Sequence, residues 1–69
     1  MVVKDSIGNN LVNGDTVILT RSLKPKGSNI TLKQGTTIRN IILRENIEEI
    51  DCKVNGSSIV LRTEFLKKA

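Results

Sequence analysis

The sequence predicts an all-β domain, a small barrel of about five strands with one short helical turn near its C-terminus. Three observations lead there. The apolar residues are almost all Val, Ile and Leu, and Phe65 is the one aromatic in 69 residues. Stiff β-branched side chains lose little freedom on a pleated surface, so this composition favours sheet. Turn signals recur every eight to twelve residues or so, the spacing of a small barrel or sandwich. Finally, no stretch carries a helical apolar repeat of ten or more residues.

Taken in order, residues 2–5 form a short first strand, followed by a turn at Gly8-Asn9-Asn10. Val12-Asn13-Gly14-Asp15 makes a tight turn in which Gly14 takes positive φ without steric cost and Asp15 bonds nearby backbone donors. Residues 16–20 are a strong strand. Its phase fails beyond Thr20, because continued alternation would set Arg21 beside Val17 and Leu19, so a bulge or strand end is expected there. Residues 24–29 are a loop containing Pro25. Ile30 and Leu32 alternate with Thr31 and Lys33, and Gln34-Gly35 turns the chain again. Residues 36–43 read as one bent strand, with Ile38 and Ile42 on one face and Ile41 and Leu43 on the other. The cleanest alternation follows: Ile50, Cys52 and Val54 inward, Glu49, Asp51 and Lys53 outward. Val54-Asn55-Gly56-Ser57 carries the signature of a type I′ hairpin. Residues 58–62 are the closing strand, and Thr63-Glu64-Phe65-Leu66 is a helical turn before the tail Lys67-Lys68-Ala69.

Length and composition bound the function. Sixty-nine residues make one domain, residues 1–69. No run approaches the roughly 18 apolar residues that span a bilayer, and the N-terminus lacks a signal-peptide core. A single cysteine forms no internal disulfide, which fits a reducing, cytoplasmic setting. With no histidine, neither a Ser-His-Asp triad nor a Cys-His pair is available, and one cysteine leaves no zinc site. No catalytic, cofactor or metal residue is assigned, and the chain is expected to bind rather than catalyse. Asp51 with Glu48 and Glu49 could meet a hard cation, but a solvated face is the stronger reading. Cys52, in phase with Ile50 and Val54, reads as a buried, inert thiol.

Net charge is +4, and its distribution matters more. Six cations and no acid lie between Thr16 and Arg44, after which Glu45, Glu48, Glu49 and Asp51 cluster. The candidate anion- or partner-binding residues are therefore Arg21, Lys24, Lys26, Gly27, Lys33 and Arg39. Gly27 would let backbone amides approach an anion while the lysines add charge. The competing reading is an ordinary solvated hairpin loop. Single-stranded nucleic acid is less well served, since stacking on aromatics supplies about 1 to 3 kcal/mol per base and the chain has one aromatic. An exposed edge strand offers a further route to a protein partner, including a second copy.

Several blocks occur in fixed order: Val3-Lys4-Asp5, Asn13-Gly14-Asp15-Thr16-Val17, Leu23-Lys24-Pro25-Lys26-Gly27-Ser28, Leu32-Lys33-Gln34-Gly35-Thr36, Ile38-Arg39-Asn40-Ile41, Ile50-Asp51-Cys52-Lys53-Val54-Asn55-Gly56 and Glu64-Phe65-Leu66-Lys67-Lys68. Together they resemble the C-terminal domain of the PhnA family, bacterial proteins named for alkylphosphonate-utilisation operons. The resemblance implies an SH3-like barrel. Typical members carry a zinc ribbon ahead of this domain, and this chain has no cysteine pairs to hold one. A weaker likeness is to the KOW motif of ribosomal and transcription-elongation proteins, where a Gly-Asp-x-Val strand leads into a Lys-Gly loop, as Gly14-Asp15-Thr16-Val17 leads to Lys26-Gly27. That likeness implies nucleic-acid binding as the alternative function.

Overall fold

The computed structural model describes residues 2–24, 30–54 and 56–69. Among them every regular element is a strand except one 3-10 turn. The N-terminal hairpin pairs β1 (Val3–Lys4) with β2 (Asn10–Leu11). A second sheet has the order β4 (Thr37–Ile38), β3 (Val17–Leu19), β8 (Leu66–Lys68), and a third the order β5 (Ile42–Leu43), β6 (Glu49–Val54), β7 (Ser57–Arg62). All pairings are antiparallel. The expected all-β architecture is what the chain adopts.

Period-two alternation explains the strongest elements. Along β6, Ile50 and Cys52 are buried and Lys53 is exposed, and in β7 Ile59 and Leu61 are buried between exposed Ser58, Val60 and Arg62. The two strands pair from Glu49↔Arg62 to Val54↔Ser57, which leaves a two-residue connection. Gly56, at φ +79°, supplies the left-handed backbone that such a tight hairpin needs. Asn55 lies outside the described residues. Side chains from all three sheets meet in one buried cluster, with Val17, Ile41, Ile50 and Leu66 each fully inaccessible.

Among the described residues the strands number eight rather than about five, and three differences account for it. Residues 36–43 are not one strand. Asn40 sits at φ 56°, and its left-handed turn breaks the run into β4 and β5, which join different sheets. The break also corrects the face assignment: Ile38 and Ile41 are both buried, while Ile42 is half exposed at 51%. The segment does serve both sheets. Second, β2 was unforeseen because it offers only Asn10 and Leu11. Third, β7 begins at Ser57 and does not close the fold. After the expected helical turn, a 3-10 turn over Thr63–Phe65, the supposed tail forms β8 against β3, with Leu66 opposite Leu19.

The chain ends are tied together by a buried acid. Asp5 is only 7% exposed. Its Oδ1 accepts the amides of Ile7 (3.0 Å) and Asn9 (2.8 Å), and its Oδ2 accepts the Lys68 amide (2.7 Å) and the Asn9 side-chain amide (3.2 Å). Ser6 N–H also donates to the Leu66 carbonyl at 2.8 Å. Burial would raise the Asp5 pKa, but the bonds from Lys68, Asn9 and Ile7 outweigh it and hold the carboxyl below its ordinary value.

Candidate functional site

Ionic pairing divides the cations into two groups. Arg44 Nη1 contacts both Asp51 oxygens at 2.8 and 2.9 Å, and its Nε lies 3.9 Å from Glu49. Arg62 lies between Glu48 (3.3 Å) and Glu64 (3.4 Å). Lys68 Nζ reaches Asp15 at 3.6 Å and donates to the Asn10 carbonyl. Asp15 also accepts the Val12 amide at 2.9 Å, the turn role its position suggests. With Asp5 committed to backbone donors, Glu45 is the one acid among the described residues without such a contact. Glu48, Glu49 and Asp51 therefore face arginines, not a shared cation. These pairs are exposed or partly exposed, and each contributes about 0 to 1 kcal/mol. Their larger effect is to neutralise most of the acids, including the cluster of Glu48, Glu49 and Asp51. Among the described residues no ion pair involves Lys4, Arg21, Lys24, Lys33, Arg39, Lys53 or Lys67.

Between β3 and β4 the chain leaves the sheets and returns, and three candidate cations ride on this excursion. Leu23 and Leu32 exchange backbone bonds of 2.8 Å each way, and Ser22 Oγ accepts the Gln34 amide at 3.0 Å. This short ladder sets Lys33 across from Ser22, and Lys24 just beyond the bridge, both exposed. Strand β3 ends at Leu19, as the failing phase requires, and Arg21 then lays its guanidinium over the Phe65 ring, 5.1 Å from the centroid. The contact fixes the side chain while leaving its charge at the surface. Lys26 and Gly27 lie outside the described residues.

Arg39 is placed elsewhere. In the β3–β4 register Ile38 faces Val17, whereas Thr36 accepts from Leu19, so Arg39 lies at the far end of β4 from the Lys33 turn. There it lines an open groove of about 810 Å³ together with Thr36, Thr37, Ile38, Asn40, Ile42, Asp51, Cys52, Lys53, Val54 and Ser58. The sequence signalled Lys53 only as an outward residue of β6. Nothing in the local pattern showed that it shares a cleft with Arg39; that follows from the Asn40 turn, which the switch of apolar parity near Ile41 foreshadows.

Chemically, this surface offers guanidinium and ammonium groups beside threonine and serine hydroxyls. Among the described residues no three His, Cys, Asp or Glu side chains gather as metal ligands. Cys52 is 2% exposed; burial, reinforced by the nearby Asp51 charge, pushes its thiol up to about 11. It is therefore almost wholly protonated near neutral pH, a poor nucleophile. No helix among the described residues is long and apolar enough to cross a membrane.

Comparison with known proteins places the likeness along the whole chain. Residues 3–69 match the PhnA domain. Protein YjdM of Escherichia coli K12 is 46% identical over 69 residues, covering 99% of this chain and 62% of the relative. Protein YjdM of Streptococcus mutans is 48% identical, covering 99% and 63%, and the YjdM homolog of Haemophilus influenzae is 48% identical, covering 100% and 54%. The chain thus spans a little over half to about three fifths of these curated relatives.

Proposed function

The chain belongs to the PhnA domain family, and on that premise we propose that it is a non-catalytic binding module that engages an anionic ligand or partner through its unneutralised cations. The residues concerned are Arg21, Lys24 and Lys33 on the excursion, with Lys26 and Gly27 between them in sequence, and Arg39 at the groove. One observation carries the reading: among the described residues nearly every acid is committed to Arg44, Arg62, Lys68 or backbone donors, and Arg21, Lys24, Lys33 and Arg39 are left over. Cations left without acid partners attract an anionic ligand or partner. The family name, drawn from alkylphosphonate-utilisation operons, makes phosphonates and phosphate natural probes.

Isotope-labelled protein titrated with methylphosphonate and with inorganic phosphate tests this. The amides of Lys24, Lys33 and Arg39 should move at millimolar ligand, less so at higher salt. Immobile amides would reject small-anion binding. Unchanged methylphosphonate after incubation with metal-free protein is expected; cleavage abolished by Asp15→Asn would instead make the chain an enzyme. Nucleic acid is the rival partner. On duplex DNA about five phosphate contacts would give a log K against log salt slope of about −4.5; weaker, sequence-indifferent binding is expected.

A further inference from the structure

The groove beside Arg39 has walls of unpaired backbone. Strand β4 is at the edge of its sheet, bonded to β3 on one side only. Antiparallel pairing alternates the direction of backbone groups along a strand. Because the Thr36 carbonyl accepts from Leu19 (2.9 Å) and Ile38 is opposite Val17, the Thr36 carbonyl and the Ile38 backbone groups turn to β3, while the Thr36 N–H donates to the Lys33 carbonyl (3.1 Å). The N–H and C=O of Thr37 and Arg39 point the other way, toward the groove. On the facing wall the same rule applies to β6. Thr63 N–H donates to Glu48 at 2.9 Å, and the register runs unbroken to Val54↔Ser57, so the even-numbered residues bond β7. Lys53 turns its backbone groups to the β5 side. There β5 begins only at Ile42, opposite Asp51, and among the described residues no strand reaches Lys53.

Charge and apolarity in the groove are complementary to one kind of occupant. Arg39 and Lys53 are exposed cations without an acid partner among the described residues; Asp51, which also lines the groove, is taken up by Arg44, and Ile38, Ile42 and Val54 give the cleft an apolar component. We propose that this groove receives an extended segment of a partner protein, rich in alternating acidic and β-branched residues. The segment adds as a strand to the free edge of β4, its carboxylates toward Arg39 and Lys53 and its apolar face on Ile38, Ile42 and Val54. An edge strand with alternating donors and acceptors selects a peptide main chain; a nucleic acid carries no such ladder, and no aromatic lines the groove for a base to stack on. A second copy of this chain is a poor fit. Its own long edge, β7, brings Arg62 and no acid, and the net charge of +4 sets the copies against each other. The inference rests on the chain being a binding module and names the class of partner for one part of its surface.

A blocked synthetic heptapeptide, acetyl-Ser-Glu-Val-Glu-Val-Glu-Ser-amide, is the probe, titrated into labelled full chain at low salt. The amides of Thr37, Arg39 and Lys53 should shift together, and those of Thr37 and Arg39 should exchange with water about tenfold more slowly in the complex. The double variant Arg39→Glu, Lys53→Glu, whose exposed positions leave the native spectrum intact, should weaken binding by about tenfold or more. A peptide with the glutamates replaced by lysines should not bind, nor should one N-methylated at alternate residues, which removes donors and keeps side chains. Equal binding by the N-methylated peptide, no shift at millimolar peptide, the same shifts with oligothymidylate, or the same shifts on concentrating the protein alone would each overturn the proposal. Movement of Lys24 and Lys33 with phosphate alongside a silent groove would end this inference and leave the binding-module reading standing. A peptide response with no phosphate response would end the small-anion version instead.

Discussion

Asp5 shows how much one residue holds in place. Its carboxylate accepts four bonds, one of them from Lys68 at the opposite end of the chain. Removing it leaves part-buried bonds without their acceptor, so Asp5→Ala should cost about 1 to 3 kcal/mol in denaturant unfolding. The pH dependence follows from its depressed pKa. Between that value and the ordinary 3.8, the unfolded chain binds a proton that the folded chain refuses. The stabilisation from Asp5 is therefore complete above about pH 5 and drains away as pH falls through the folded value. Asp5→Asn should flatten that acid limb; an unchanged limb would assign acid sensitivity to other groups. Asn40 makes a second residue-scale test. It is the one described non-glycine residue with positive φ, and Asn tolerates that region better than most. Asn40→Gly should be close to neutral, whereas Asn40→Val should lose about 1 to 3 kcal/mol. Cys52 was legible from sequence, since its phase with Ile50 and Val54 predicts burial. A thiol reagent at neutral pH should label it only at the rate of opening.

Elements were legible in proportion to their length. The six-residue strands β6 and β7 announce themselves through alternation and the Asn55-Gly56 turn signal, and their register follows from the two-residue connection. Two-residue strands carry no period, so β2 escaped notice, and β4 and β5 merged into one. Strand β8 was hidden for a different reason. Leu66 alone is buried, and the exposed Lys67 and Lys68 made a structural strand look like a solvated tail. Its importance is testable by truncating that one side chain. Leu66 is fully buried opposite Leu19, so Leu66→Ala should lose about 2 to 5 kcal/mol, as a central core residue would and a tail residue would not. A loss near zero in equilibrium unfolding would contradict the placement of β8.

At the scale of the molecule, sequence polarity became a surface only through folding. The run of cations from Arg21 to Arg44 suggested one basic face, but the fold divides it. Arg44 turns to Asp51, Lys33 and Lys24 stay on the excursion, and Arg39 joins Lys53 in the groove. That division depends on strand register and on the Asn40 turn, neither of which a local pattern fixes. The central claim is that paired cations neutralise the acids beside them and unpaired ones bind. It is tested most directly by measuring stability and phosphate affinity together on two charge-reversal variants. Lys24→Glu with Lys33→Glu should keep the midpoint of thermal unfolding and weaken phosphate binding by about tenfold. Arg62→Glu, which sets like charges beside Glu48 and Glu64, should lower the midpoint and leave the phosphate response at Lys24 and Lys33 in place. Equal loss of binding in both variants, or unaltered binding in the lysine pair, would contradict the claim.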